Sequence, residues 1–312
     1  MQKNQKNIIP IFFAVDNNYA PFLAVSLQSM LEHASTDYFY EVYILTDSMN
    51  KAYQEGLDAF NSERCQLHYV DVNERIQAVG DTLHTRDYYS GAIYYRLFIA
   101  DLFPEYDKAL YLDADIVVLG DIAQLYQTPI DGKYLGVISD DVVSSCDEFR
   151  EYVKDGVGAP VPYYFNSGIL VMNLKKMREE DLFGQFKSLF AKVKFIIAPD
   201  QDYLNVLCRN QVEYVDSNWN KTPQFSQKEE EKQIQLIHYK LTQKPWHYPN
   251  MQFGEYFWHY AKQTSFYDLL VQMKDEFTLL DAEKDAETEK LLRENAVKET
   301  KRLLQEAHLV LK

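Results

Sequence analysis

The stretch KALYLDADIVV at residues 108–118 decides the fold class of this chain. Its first part, residues 108–112, is apolar enough for a buried strand and runs directly into Asp113 and Asp115. Residues 116–119 are apolar again, so the two carboxylates lie at an otherwise buried sheet edge, where an unpaired charge is unfavourable. Open α/β sheets bind ligands outside the carboxyl ends of their strands. The stretch therefore predicts a sheet-edge site built on two acids.

Strand and helix patterns alternate on both sides of this stretch. A continuous apolar run at 8–15 predicts a first strand, and apolar residues at helical spacing predict a helix at 20–31. The other predicted elements are strands at 41–45, 66–72, 134–138, 168–172 and 235–238, and helices at 52–60, 93–103 and 202–208. This alternation indicates parallel strands with covering helices, the layout of an α/β nucleotide-binding fold.

The composition changes near residue 265. Residues 281–312 are charged and contain no Gly or Pro. One helical face there carries Leu292, Ala296, Leu303, Ala307 and Val310. We therefore predict a terminal helix and divide the chain into a catalytic domain at 1–250 and a helical C-terminal extension at 251–312.

The composition also excludes several classes of protein. The 312 residues carry a net charge of -15, whereas binding a nucleic-acid backbone needs clustered Lys and Arg. Cys65, Cys146 and Cys208 are an odd number without a CxxC pair, so neither a disulfide framework nor a zinc site is expected. No apolar run reaches the ~18 residues of a membrane span. We expect a cytoplasmic protein that binds no nucleic acid.

A metal site is one interpretation of the two acids. Carboxylates one residue apart suit a hard divalent cation if the backbone turns between them, but Asp-x-Asp is equally typical of a solvated turn or helix cap. His238 ends another apolar strand, where a histidine is ordinarily a satisfied core residue. Lys244 follows His238 in a short loop. The loop could therefore carry both a metal ligand, His238, and a phosphate-binding cation, Lys244.

Two further groups carry polar side chains suited to ligands. Asp16, Asn18 and Tyr19 follow the first strand and could bind a uracil edge, ribose hydroxyls and the face of a base, or could form an ordinary turn with a helix cap. Asn166, within YYFNSG, and the run Asp-Gln-Asp at 200–202 offer hydrogen-bonding groups beside aromatic side chains. A structural role is the simpler explanation of each group alone.

Six motifs in a fixed order carry a family resemblance. They are FFAVDNNYA at 12–20, YYRLFIADLF at 94–103, LYLDADIVV at 110–118, YYFNSGILVMNLKKMR at 163–178, DQDYLN at 200–205 and IHYKLTQKPWH at 237–247. On these motifs the chain resembles the family 8 glycosyltransferases, in particular the bacterial lipooligosaccharide galactosyltransferases and more distantly glycogenin. The resemblance spans residues 8–250 and implies a GT-A-type α/β fold, which is a Rossmann-like, nucleotide-binding mixed sheet flanked by helices.

The resemblance also implies roles for individual residues. Asp113, Asp115 and His238 would hold Mn²⁺, with Mg²⁺ as the alternative, on a UDP diphosphate whose charge Lys244 neutralises. Uridine would be bound by Asp16, Asn18 and Tyr19, and the transferred sugar would be surrounded by Arg96, Asp113, Asn166, Asp200 and Gln201, with Asp140 as a further contact. In one departure, Leu241 replaces the glycine that the galactosyltransferases have three residues after the metal-binding histidine.

The implied reaction is the retaining transfer of galactose or glucose from a UDP-sugar to a hydroxyl of a glycan, glycolipid or glycoprotein acceptor. Retention could follow from front-face attack or from a covalent intermediate. Gln201, which by resemblance is nearest the reacting face, is a poor nucleophile and favours front-face attack. Two alternatives remain: a haloacid-dehalogenase-type phosphatase with Asp113 as nucleophile, and a catalytically inactive protein that binds sugar nucleotides.

The last residues of the chain are locally basic. Residues 290–312 contain Lys290, Arg293, Lys298, Lys301, Arg302 and Lys312. This helix could contact anionic lipid at the inner face of the membrane. Alternatively, it could pack on the protein itself or on a second copy in a homo-oligomer.

Overall fold

The structure, a computed structural model, describes residues 7–72, 91–223 and 234–310. These residues contain two β-sheets. The strands are β1 Asn7–Ala14, β2 Tyr38–Thr46, β3 Cys65–Asp71, β4 Ala109–Leu112, β5 Ile116–Val118, β6 Leu135–Ser139, β7 Phe165–Met172, β8 Val212–Tyr214 and β9 Leu236–His238. The main sheet has seven strands in the order β3-β2-β1-β4-β7-β6-β8, and the smaller sheet pairs β5 with β9. The predicted mixed α/β sheet is confirmed.

Helices flank the main sheet. The α-helices are α1 Ala20–His33, α2 Lys51–Leu57, α3 Ile99–Leu102, α4 Ile122–Tyr126, α5 Asp147–Glu151, α6 Leu174–Glu179, α7 Leu182–Phe190, α8 Pro199–Leu207, α9 Gly254–Ala261, α10 Tyr267–Glu276 and α11 Leu279–Val310. Short 3₁₀ segments lie at Asp58–Phe60, Gly91–Leu97, Val142–Ser145, Val161–Tyr163 and Ser217–Trp219, and a π-helical segment at Tyr152–Val157.

Strand β4 is where the parallel and antiparallel parts of the main sheet meet. It runs parallel to β1 and antiparallel to β7, with Leu112 opposite Ile169. Because β7 runs the other way, its first half lies beside the end of β4, and the Asp113 N–H donates to the carbonyl oxygen of Gly168 (2.8 Å). This junction places the first predicted acid beside residues 166–168.

The smaller sheet brings the second acid to the histidine. Strand β5 begins directly after Asp115 and runs antiparallel to β9, with Ile116 opposite His238. The Tyr239 N–H then donates to the carbonyl oxygen of Asp115 (3.0 Å). The apolar residues after Asp115, for which the sequence predicts no strand, thus form the element that positions His238.

The two faces of the main sheet carry separate hydrophobic cores. Side chains of β1 alternate between them, so that Ile11 and Phe13 enter the first core while Phe12 enters the second. Helices α1 and α9 contribute to the first core, and Phe186 of α7 and Tyr203 of α8 to the second. The central strands are therefore buried on both sides, as expected of a sheet covered by helices.

Two predicted helices differ from the observed ones. The helix expected at 93–103 is divided into the 3₁₀ segment Gly91–Leu97 and α3, because Arg96 turns towards the sheet and bonds through Nε to the carbonyl oxygen of Ile93 (3.1 Å). The helix expected at 202–208 begins at Pro199, whose ring suits a first helical turn. Asp200 and Gln201 consequently lie on that first turn rather than in a loop.

Helix α11 packs against the rest of the described chain. Ala296 and Leu303 are buried in the second core, and Leu292 packs against that core. The predicted face also includes Ala307 and Val310, whose side chains lie outside the described residues. Of the alternatives for this helix, packing on the protein itself is therefore observed. Within the described residues, no helix is both long enough and apolar enough to cross a membrane.

Replacing Leu303 with Ala tests this packing. Leu303 is 6% exposed, whereas its neighbour Leu304 is 41% exposed and serves as the matched control. We expect Leu303→Ala to lower the free energy of unfolding by about 2–4 kcal/mol, because it leaves a cavity under the helix. Leu304→Ala should change that free energy by about 0.5 kcal/mol or less. Urea denaturation followed by circular dichroism measures both, and equal effects would contradict the observed orientation of α11.

Candidate active site

The catalytic, binding and metal-ligating residues predicted from the sequence line one cavity of about 750 Å³. They come from the ends of β1, β4, β6 and β9, from the loop after β9, from β7, from the 3₁₀ segment Gly91–Leu97 and from the first turn of α8. The residues are Asp16, Asn18, Tyr19, Arg96, Asp113, Asp115, Asp140, Asn166, Asp200, Gln201, His238 and Lys244. The fold thus brings together side chains from six separate motifs, while the role of each residue remains a prediction.

Asp113, Asp115 and His238 form a compact cluster, in which one ligand atom from each lies within 4.8 Å of the other two. His238 Nε2 is 3.2 Å from Asp115 Oδ1 and 3.6 Å from Asp113 Oδ2. Carboxylate-rich ligand sets suit Mg²⁺ and Mn²⁺, and imidazole nitrogen can complete such a set. The donor atoms present therefore fit a divalent cation.

Asn220 orients the histidine of this cluster. Its Oδ1 lies 2.9 Å from His238 Nδ1, and its Nδ2 donates to Asn166 Oδ1 (3.1 Å). Because Asn220 donates through its amide nitrogen, its amide oxygen is the atom that accepts from His238. His238 Nδ1 therefore carries the hydrogen. The lone pair of His238 Nε2 then faces the two carboxylates. A lone pair facing two anionic groups favours a cation between them, which supports the fit.

Arg96 links the first acid to the residues of α8. Its guanidinium lies 3.0 Å from Asp113 Oδ1 and 3.2 Å from Asp200 Oδ2, and it stacks over the ring of Tyr111. Burial raises the pKa of Asp200, although Arg96 and a hydrogen bond from Ser167 oppose the rise. The guanidinium therefore bridges the half-buried carboxylate of Asp113 and the buried carboxylate of Asp200.

Lys244 pairs with the second acid. Its Nζ lies 2.5 Å from Asp115 Oδ2 and also donates to the carbonyl oxygen of Tyr239. Burial would raise the pKa of Asp115, but the adjacent Lys244 ammonium lowers it, and that pKa lies well below its usual range. Asp115 is consequently an anionic ligand shared between an ammonium group and the imidazole.

A hydrogen-bonded group of amides and acids lies beside the cluster. Gln201 donates through Nε2 to Asp140 Oδ2 (3.0 Å) and accepts through Oε1 from Asn166 Nδ2 (3.0 Å) and the Ser167 N–H (3.0 Å). Burial would raise the pKa of Asp140, but the Lys240 ammonium and several hydrogen bonds lower it. This part of the cavity offers several fixed polar groups to a ligand with hydroxyls.

The third acid of the run at 200–202 has a different role. Asp202 does not line the cavity; it is buried and accepts hydrogen bonds from Tyr152 (2.7 Å) and Tyr164 (2.6 Å). Burial raises the pKa of Asp202 to about 7. The expectation of a ligand-binding group at this position is not supported, because its oxygens hold two tyrosines that form the cavity wall.

The three candidates for binding a nucleoside line the cavity after β1. Asp16 Oδ1 accepts from the Tyr19 N–H (3.0 Å) and so stabilises the turn into α1, which is the structural role foreseen for it. Asp16 Oδ2 accepts from Asn18 Nδ2 (3.4 Å), so both oxygens of Asp16 take part in this turn.

Leu241 has a backbone conformation that ordinarily favours glycine. Its φ is 59°, in the left-handed region that costs roughly 1–2 kcal/mol for a residue with a side chain. Leu241 also lines the cavity. The replacement therefore adds an apolar side chain to the wall.

Sequence reasoning missed four residues of the site. Asn220, Ser167, Gly168 and Lys240 contact the predicted residues directly. Ser167, Gly168 and Lys240 fall within quoted motifs, and Lys240 shares a strand-like spacing of two with His238. Asn220 has no such signal, since its segment SNWNK follows no regular pattern.

Gly168 leaves room for the side chains of Asp113 and His238, and replacing it with Ala tests whether their cluster holds a metal ion. A Cβ there would overlap Asp113 Oδ2 and lie 2.5 Å from His238 Cε1. We expect Gly168→Ala to lower Mn²⁺ affinity by about tenfold or more, because both ligands must shift. Gly254→Ala is the control, since its Cβ would lie 3.7 Å from Pro245. Calorimetric titration of the folded variants with Mn²⁺ measures the affinity. An unchanged Mn²⁺ affinity in Gly168→Ala would mean that the metal binds elsewhere.

Comparison with known proteins addresses the family. Residues 10–250 match the sequence model described as Glycosyl transferase family 8. A Haemophilus influenzae protein is 31% identical over 216 residues, which cover 68% of this chain and 63% of that protein. This chain thus spans less than two thirds of that relative's length.

Two further relatives have more specific names. The Escherichia coli protein named lipopolysaccharide 1,2-glucosyltransferase is 28% identical over 275 residues, covering 80% of this chain and 77% of its own length. The galactosyltransferase LgtC, solved with donor and acceptor sugar analogues, superimposes with a TM-score of 0.67 at 25% identity and covers 82% of this chain and 96% of its own. These findings confirm the resemblance stated from the motifs and the GT-A-type fold.

Proposed function

The chain belongs to glycosyl transferase family 8, and we propose that it is a metal-dependent, retaining hexosyltransferase that moves galactose or glucose from a UDP-sugar to a hydroxyl of a glycan acceptor. The observation that carries this proposal is the cluster of Asp113, Asp115 and His238, with Lys244 in contact with Asp115. Family membership removes the phosphatase alternative. A catalytically inactive protein remains the alternative that an activity measurement must exclude.

The diphosphate of the donor would lie beside the cluster, within reach of Lys244. A divalent cation bound there would neutralise the diphosphate and stabilise charge on departing UDP. Lys244 is held by Asp115 and by a backbone carbonyl, so its ammonium is positioned before a donor binds. Positioning of this kind favours stabilisation of the leaving group, since little reorganisation is needed when charge develops.

The hexose would lie among Arg96, Asn166 and Gln201, with Asp140 and Asp200 behind them. Both ends of the Gln201 amide are engaged by neighbouring groups, which suits a residue that orients the sugar rather than attacks it. We therefore favour front-face transfer. The bond from C1 to the phosphate oxygen breaks, the acceptor oxygen bonds to C1 on the same face, and the leaving phosphate takes the acceptor proton.

The acceptor class rests on the relatives. Proteins named for lipopolysaccharide glucosyl and galactosyl transfer are 28% and 26% identical to this chain. We propose a hydroxyl of a lipopolysaccharide-type glycan as the acceptor. Galactose and glucose differ at one hydroxyl, so the preferred donor depends on whether the wrong epimer leaves a buried polar group unpaired, an effect of about 1–3 kcal/mol.

Metal removal and one substitution test the proposal. We expect EDTA to abolish UDP release from UDP-galactose and UDP-glucose, and Mn²⁺ to restore it. Asp115→Asn should cripple turnover while the protein stays folded, because it removes a ligand charge at constant volume. A coupled assay for UDP across galactose, glucose and N-acetylhexosamine donors measures the rates. Full activity in EDTA, or a fully active Asp115→Asn variant, would refute the metal assignment.

Lys244 allows donor binding to be separated from stabilisation of the leaving group. If its ammonium meets charge that builds on UDP, Lys244→Ala should lower kcat as well as weaken donor binding. Loss of such a contact is worth about 2–4 kcal/mol, roughly thirty- to a thousandfold in kcat/KM. Lys244→Arg should restore part of the rate, since a planar guanidinium places its charge differently. Steady-state kinetics at saturating Mn²⁺ measure both constants. If Lys244→Ala raises KM and leaves kcat unchanged, Lys244 only binds the donor and does not stabilise the leaving group.

A further inference from the structure

Lys240 is a buried charged residue on the wall of the cavity. It follows His238 by two residues, its N–H donates to the His238 carbonyl oxygen (3.0 Å), and both side chains line the cavity. Only 8% of Lys240 is exposed. A lysine so deeply buried needs compensating partners, because an unpaired charge in such a place is strongly unfavourable.

Two carboxylates provide that compensation. Lys240 Nζ lies 2.8 Å from Asp141 Oδ1 and 3.4 Å from Asp140 Oδ1. Among the described residues these two are the hydrogen-bond partners of the ammonium. An ammonium group has three N–H donors, so one donor is left for a ligand in the cavity.

Both carboxylates are themselves held in place. Asp140 accepts from the Val142 N–H (2.9 Å) and from Gln201, and Asp141 accepts from the Thr222 hydroxyl (3.1 Å). The ammonium therefore has a fixed position beside the amides that are proposed to hold the hexose. A surface lysine would instead lose side-chain entropy on binding a ligand.

We propose that Lys240 is a sugar-recognition residue, whose remaining N–H donates to a hydroxyl of the transferred hexose. This inference rests on the proposed function. A neutral sugar suits this position, since Asp140 and Asp141 outnumber the single ammonium and would repel a sugar carboxylate placed there. The donor class is therefore a neutral hexose rather than a hexuronic acid.

Conservative and non-conservative variants separate recognition from a structural ion pair. We expect Lys240→Met and Lys240→Arg each to lower kcat/KM for UDP release from UDP-galactose or UDP-glucose by roughly ten- to a hundredfold. The assay uses saturating Mn²⁺ and no added acceptor, so that water takes the sugar. Affinity for UDP, which lacks the hexose, should stay within about twofold. Lys262→Met, at an exposed lysine, is the matched control.

Several outcomes would overturn the inference. If Lys240→Arg turns over UDP-hexoses like the wild type, the residue only balances the charge of Asp140 and Asp141. If Lys240→Met also loses affinity for UDP while Lys240→Arg behaves like the wild type, Lys240 again only balances the charge of the two carboxylates. A wild-type preference for UDP-glucuronic acid would remove the neutral-sugar class. Failure of the proposed function is distinct, because the wild type would then neither bind UDP nor release it from any UDP-hexose.

Discussion

The carboxylates of Asp113 and Asp115 have to remain charged at the end of a buried strand, and the site is arranged around this requirement. Neither acid is left to solvent alone: Arg96 pairs with the first and Lys244 with the second. Their free oxygens face His238 Nε2. Each acid thus pairs one oxygen with a cationic side chain of the protein and turns the other towards the imidazole, the arrangement expected if the second oxygen is to meet a metal ion.

The sheet topology makes this arrangement possible. Strand β4 stands between a parallel and an antiparallel neighbour, so the end of β4 meets the first half of β7 rather than its far end. The pairing of β5 with β9 then brings His238 to Asp115 across more than a hundred residues of sequence. In a chain with net charge -15, a bound anion needs such local cations. The cavity has Arg96 from the 3₁₀ segment Gly91–Leu97 and both Lys240 and Lys244 from the segment after β9.

Much of this could be predicted from the sequence, because apolar runs identify strands and the acids follow one of them directly. The strand β4, the position of Asp113 at its end and the helix α11 were predictable on that basis. Local sequence patterns do not reveal which residue, distant in sequence, forms a hydrogen bond or ion pair with a buried polar side chain. Asn220 orients His238 from an irregular segment, and its contact depends on the β5 and β9 pairing. The 3₁₀ geometry around Arg96 depends likewise on a tertiary ion pair, which helical periodicity does not reveal.

The first turn of α8 shows why neighbouring polar residues have different roles. Asp200 and Gln201 face the cavity, while Asp202 faces inwards and holds Tyr152 and Tyr164. A carboxylate in place of the Gln201 amide would add a charge beside Asp140 and could no longer donate to it. It would also repel Asp200 on the same turn. The amide is therefore the group that this charge distribution favours at that position, because it donates to Asp140 and accepts from Asn166 and Ser167 without adding a charge.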